Sequence, residues 1–168
     1  MFEVLKPGHY RLLGKTIDDA AGEAFDKFAK MMRLGFPGGV AVDRLAAKGD
    51  PKAHKFPRPL IYEDNLDFSF SGLKTAAARE AEKAPGARPE DMAASYQEAI
   101  VDVLVDKLLR AARAAKLKNW TITGGVSANS RLRARAEAAA KKEGAILALP
   151  PLRYCTDNAA MIAYAGLL

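Results

Sequence analysis

The chain has 168 residues, 49% of them apolar and 27% charged, enough to bury a sizeable core in one domain or in two small subdomains that share one. Its single cysteine excludes an intramolecular disulfide and a Cys-rich zinc site. No apolar run reaches the length of a membrane-spanning helix, and the first residues carry no charged lead before an apolar core, so a cytoplasmic protein is expected. The net charge of +6 makes nucleic acid a natural partner, because phosphates attract Lys and Arg.

Residues 2–13 read as a hairpin turning at Pro7-Gly8. Thr16, with Asp19 three residues on, predicts a helix start of the capping-box kind. Ala20, Ala24, Phe25, Phe28 and Met32 supply its apolar stripe, and Gly35 and Pro37 end it. A short helix follows over Val40 to Lys48. Prolines and glycines make 49–66 irregular. Leu66 to Phe70 alternates like a short strand, and Gly72-Leu73-Lys74 opens another helix. A long helix is predicted from Pro89 to about Lys116, with proline in the first turn and Glu90 and Asp91 suited to its positive end. The last third has a βαβα rhythm: strand 119–123, helix 130–144, strand 145–149, helix 156–168. Such alternation implies a parallel sheet covered by helices, here with the hairpin as further strands.

Three groups of residues carry candidate chemistry. The strand ending in Gly124-Gly125 runs into a helix, so its backbone lets a ligand approach while the helix start offers N–H groups to an anion. An ordinary tight βα turn explains the same residues. Glu23, Asp26 and Asp43 are acceptor-only carboxylates suited to ribose hydroxyls, or else a solvated helix face. Asp157 opens the last helix as an N-cap or as a carboxylate aimed at a metal or phosphate. Cys155 reads as a small buried side chain. Arg131, Arg133, Arg135, Lys141 and Lys142 are the candidates for touching nucleic acid, against the plainer reading of a solvated charged face.

Six strings in order, Thr16–Lys27, Phe36-Pro-Gly-Gly39, Phe68–Lys74, Ala94–Ala99, Gly124-Gly-Val-Ser-Ala-Asn129 and Cys155-Thr-Asp-Asn158, resemble the tRNA N6-adenosine threonylcarbamoyltransferases, the TsaD or glycoprotease family. The resemblance implies an α/β fold: the C-terminal lobe of the actin, Hsp70 and sugar-kinase architecture, with residues 17–116 as a mainly helical insertion and 117–168 as the nucleotide- and metal-binding portion. It implies transfer of threonylcarbamoyl from threonylcarbamoyl-adenylate to N6 of adenosine 37 in tRNAs reading codons that start with A. It places Asp26, Gly39, Asp43, Gly124, Gly125 and Asn129 around the nucleotide and Asp157 on one divalent metal ion, iron or zinc. No catalytic residue is assigned.

The implied partners are tRNA, an N-terminal lobe, a homologous partner subunit and a small ATPase of the bacterial modification complex; no membrane is involved. The family's His-x-x-x-His metal motif and Ser-Gly-Gly-His-Thr phosphate loop do not occur, since His9 and His54 stand alone. The chain is therefore expected to be a fragment that holds metal weakly and does not turn over alone. An adenine-nucleotide- or partner-binding lobe is the alternative, and a metallopeptidase a more distant one.

Overall fold

A computed structural model describes residues 1–167. Strands β1 (Phe2–Lys6) and β2 (His9–Leu12) form the antiparallel hairpin. Four helices follow: α1 (Ala21–Met31), α2 (Gly38–Ala46), α3 (Ser71–Lys83) and α4 (Pro89–Ala114). Strand β3 (Asn119–Thr121), helix α5 (Ser130–Glu143), strand β4 (Ile146–Ala148) and helix α6 (Ala159–Ala165) complete the chain.

The main core lies where α1, α2 and α3 meet α4. The predicted stripe of α1 buries Ala24, Phe25 and Phe28. Their partner is Tyr96 of α4, whose ring stacks on Phe28 at 4.0 Å and meets Phe25 edge-on at 6.5 Å. The Tyr96 hydroxyl donates to the Ala24 carbonyl at 3.1 Å, so the aromatic area is buried without orphaning its polar end. Burying each such ring contributes about 2–3 kcal/mol. Further along α4, Val101 and Val105 pack with Leu132, and Ala112 packs with Trp120 and Ala140.

Three expectations about regular structure need correction. The first helix begins at Ala21, not Thr16. Thr16 instead forms a parallel bridge with Phe68: Ile17 N–H donates to the Phe68 carbonyl and Phe68 N–H to the Lys15 carbonyl. That pairing holds 15–17 extended, and the alternating segment at 66–70 supplies only this bridge rather than a strand. Strands β3 and β4 are parallel as predicted, each shorter than its sequence pattern. The hairpin, however, does not join them: β1–β2 and β3–β4 are separate two-stranded sheets.

The irregular segment 47–70 is tied down by polar contacts to α4 and α3. Buried Lys107 donates from Nζ to the Asn65 carbonyl at 2.9 Å. Arg58 pairs with Asp102, Arg110 donates to the Glu63 carbonyl, and the His54 ring meets Glu80 at 2.9 Å. A long loop without regular structure survives in a compact domain when its backbone acceptors are met in this way.

Candidate functional site

A shared device organises the region predicted to bind a ligand. Helices α2 and α3 have no local side-chain cap. Each is capped instead by an aspartate from a distant part of the chain, which meets the free N–H groups of the first turn. For α2 that residue is Asp26, whose Oδ1 accepts from Gly38 N–H at 3.0 Å. The approach is so close that a Cβ at position 38 would lie 2.6 Å from Asp26 Oδ1 and 2.7 Å from its Cα. At α3, Asp18 accepts from the backbone N–H of Phe70 at 2.8 Å and Ser71 at 3.2 Å, and from the hydroxyls of Ser69 and Ser71 at 2.5 and 2.7 Å. What desolvation there is pushes the Asp18 pKa up. The bonds from Ser69, Phe70 and Ser71 outweigh it and hold the carboxyl well below the usual carboxylate range.

The start of α5 is doubly capped. Asn129 Oδ1 accepts from Leu132 N–H at 2.9 Å, while Asp43 accepts from Ser130 N–H at 3.1 Å and from its hydroxyl at 2.8 Å. The Asn129 amide then donates to Gln97 Oε1 at 2.7 Å in a buried contact. Asn129 is thus an inward-facing residue satisfied at both ends. Asp26 keeps its Oδ2 free among the described residues, whereas both oxygens of Asp43 are engaged by Ser130. Glu23 pairs with Lys27 at 2.9 Å on the outer face of α1, as the plainer reading of a solvated helix face has it.

Gly39, Gly124 and Gly125 face open space: nothing lies within 4 Å of where their side chains would begin. Gly124 has φ +84°, which turns β3 sharply into the short 3-10 segment Gly125–Ala128. That segment packs on α1, with Val126 at 3.5 Å from the position of a Gly22 Cβ. The structure therefore brings Asp26, Gly39, Asp43, Gly125 and Asn129 onto elements that touch one another: α1, α2, the 3-10 turn and the start of α5.

Asp157 makes no hydrogen bond to this group among the described residues. It is exposed, and the N-cap of α6 is its neighbour Asn158, whose Oδ1 accepts from Met161 N–H. Among the described residues no three His, Cys, Asp or Glu side chains gather where they could hold a metal ion. His54 is engaged with Glu80, and His9 is exposed at the start of β2.

The basic face of α5 is largely spoken for. Arg131 makes a two-pronged pair with Glu98 at 2.6 and 2.9 Å, and Arg135 pairs with Glu98 and Asp102. Burial pushes the Glu98 carboxyl up, but Arg131 and then Arg135 outweigh this and hold it below the usual range. Arg133 turns inward to the Ser127 and Pro150 carbonyls and the buried Cys155 sulfur, fastening the segment before Asp157 to α5. Lys141 and Lys142 remain exposed. Gln97, Glu98 and Asp18 were not singled out from the sequence. Their partners lie 32 to 53 residues away in the sequence, and no local signal announces them.

Comparison with known proteins adds the following. Residues 1–164 match the family model described as TsaD, tRNA N6-adenosine threonylcarbamoyltransferase. A Bdellovibrio bacteriovorus protein of that name is 56% identical over 172 residues, covering 100% of this chain and 50% of the relative. Proteins of the same name from Anaeromyxobacter dehalogenans and Thermotoga neapolitana are 58% and 52% identical, covering 95% and 92% of this chain and 49% and 47% of theirs. The chain spans about half the length of the curated relatives it matches. Among solved structures, T. kodakarensis HypF superposes with a TM-score of 0.68 at 20% identity, over 88% of this chain and 19% of that one, a likeness of fold.

Proposed function

This chain belongs to the TsaD family of tRNA N6-adenosine threonylcarbamoyltransferases, and on that premise we propose that it is the C-terminal, nucleotide-binding lobe of such an enzyme, built on the actin, Hsp70 and sugar-kinase plan. The observation that carries the reading is the family match over residues 1–164. In the proposed reaction the N6 amine of a tRNA adenosine forms a bond to the carbamoyl carbon of threonylcarbamoyl-adenylate. The bond from that carbon to the phosphate oxygen breaks, AMP leaves, and the amine proton passes to solvent or to the leaving phosphate.

Within that reading this lobe orients the adenylate. Asp26 offers a free carboxylate oxygen to a ribose hydroxyl, and Gly39, Gly124 and Gly125 let the ligand lie against backbone. The inward bonds of Asn129 give it a supporting role, holding the Gly124-Gly125 turn at the start of α5. An iron or zinc ion would neutralise phosphate charge in such a centre; Asp157 is the residue of this chain proposed to face it, with the remaining ligands supplied from elsewhere. No helix among the described residues is long and apolar enough to cross a membrane, and the cytoplasm, where tRNA is found, is the proposed location. The family's homologous subunit and small ATPase are the proposed further partners.

The test combines this chain with the unmatched remainder of the Bdellovibrio bacteriovorus relative, labelled threonylcarbamoyl-adenylate and tRNA. Label reaching tRNA only when both polypeptides are present is the expected result. No transfer from a mixture that demonstrably assembles, with an active full-length relative as control, overturns it.

A further inference from the structure

The last turns of α4 and α5 meet where β3 begins. Arg113 pairs with Glu143, and Lys118 donates to the Glu143 carbonyl. A cleft of about 270 Å³ between the two helix ends is lined by Arg113, Lys116, Leu117, Lys118 and Glu143. Lys141 and Lys142 stand in the last turn of α5, next to Glu143. The bond from Arg113, with the charges of Lys118 and Lys142 nearby, holds the Glu143 carboxyl below the usual range.

Cations at helix ends have a plain reading, since they meet the negative pole of the helix dipole. Magnitude shows that this does not use them all. Two helix ends present about one negative charge between them. The carboxylates of the same stretch are Glu143 and Glu137, one turn before Lys141, so about two of the five positive charges stay unbalanced. Nor are the lysines needed as caps. Gly144 N–H already meets the Ala140 and Lys141 carbonyls, and Leu117 N–H the Ala112 carbonyl. Lys116, Lys141 and Lys142 are exposed, and their ammonium groups make no hydrogen bond or ion pair among the described residues. At the other end of α5, by contrast, Arg131, Arg133 and Arg135 are all engaged.

We infer that the joined ends of α4 and α5 are a docking surface for the phosphate backbone of an RNA, with Arg113, Lys116, Lys118, Lys141 and Lys142 as its cations. An acidic protein fits less well. A protein interface needs a desolvated apolar centre, and of the apolar side chains in the cleft, Ala112 and Trp120 are buried and only Leu117 is exposed. Phosphates ask chiefly for charge. The surface is also distant from the glycine turn. Lys118 precedes β3 and Gly124 follows it, and six residues at about 3.3 Å each separate them by about 20 Å. A ligand that touches both is therefore a polymer rather than a mononucleotide. The inference rests on the family reading only for the choice of tRNA as the RNA.

Binding of a fluorescent tRNA transcript to the whole chain is followed by anisotropy between about 50 and 200 mM salt. Lys116→Gln, Lys141→Gln and Lys142→Gln together should weaken binding at least tenfold at the low-salt end. They should also flatten the plot of log affinity against log salt by about 2, since each lost phosphate contact removes about 0.7–0.9. Lys30→Gln, Lys55→Gln and Lys83→Gln together change the net charge equally at exposed sites elsewhere and should weaken binding less than threefold. Gln nearly matches Lys in helix propensity, and circular dichroism confirms folding. If the first triple variant unfolds, Lys141→Gln with Lys142→Gln decides, with a flattening of about 1.5. No binding by the wild type, equal losses in the two triple variants, or an unchanged salt slope overturns the inference. So does polyglutamate that displaces the transcript as well as unlabelled RNA does at equal charge, since an acidic protein is then the occupant. AMP affinity, read by calorimetry, should be the same in the patch variant and the wild type. Patch-dependent RNA binding without transfer in the reconstituted mixture leaves the surface standing and sinks only the enzymatic reading. Transfer with RNA binding indifferent to the patch does the reverse.

Discussion

Replacing Asp18 with alanine removes the acceptor that meets the start of α3 from fifty residues away. Four hydrogen bonds are lost, two from backbone N–H groups and two from serine hydroxyls. Asp18 is exposed, so water takes over part of this work and the full sum of four bonds does not apply. A lost N-cap costs about 1–2 kcal/mol and the lost charge at a helix start about 0.5 kcal/mol more, giving roughly 2 kcal/mol in all. For a chain of this size that lowers Tm by about 4–8 °C. Asp18→Asn keeps the oxygen facing the two N–H groups and should cost about half as much. The pH dependence follows from the depressed carboxyl. Its contribution is fully present above the unfolded value near 3.9 and is lost as pH falls toward the lower folded value, so the gap between wild type and Asp18→Asn narrows in acid. Urea melts at neutral pH and at about pH 3 measure this. A gap that does not change with pH, or an Asp18→Ala variant as stable as wild type, would refute the account of the cap.

Three other outcomes are expected. Glu98→Gln leaves Arg131 and Arg135 facing a neutral side chain and should cost about 1–3 kcal/mol in thermal melts, an effect that shrinks as acid protonates Glu98 in the wild type; no change at neutral pH contradicts it. Gly38→Ala forces a Cβ against Asp26 and should cost about 1–3 kcal/mol, whereas Gly39→Ala, with open space around it, should hold or slightly raise Tm while weakening nucleotide binding in calorimetry. Gln97→Ala orphans the Asn129 amide in a buried setting and should cost about 1–3 kcal/mol by denaturant melts, and equal stability of the variant would show that the pair is idle.

How far the sequence foretold these features depends on how local their causes are. Helix α4 was legible almost residue for residue, because Pro89 in its first turn and its acidic start are written beside it. Helix α5 ends on Gly144 in the left-handed conformation at φ +61°, another signal complete in itself. Thr16 misled, since its partner Phe68 lies 52 residues away and nothing near Thr16 announces it. The same distance hid Asp18. A carboxylate suited to a ligand and one suited to a remote helix start look alike in sequence, and Asp26 and Asp43 prove to be capping groups whatever else they do. The short β3 and β4 reflect a neighbourhood: strand patterns at 119–123 and 145–149 extend fully only where both edges find partners, and one edge of β3 borders open space.

Helix α4, at 26 residues, is about 39 Å long, and all three apolar clusters draw on it in turn, from Met92 through Val101 and Val105 to Ala112. Neither two-stranded sheet is large enough to stand on its own. The helix therefore acts as the common spine through which distant parts of the molecule lose order together. Amides in the middle of α4 exchange with solvent only when everything does, so their protection reports the stability of the whole chain, while the hairpin and α6, which lie outside those clusters, exchange by opening locally.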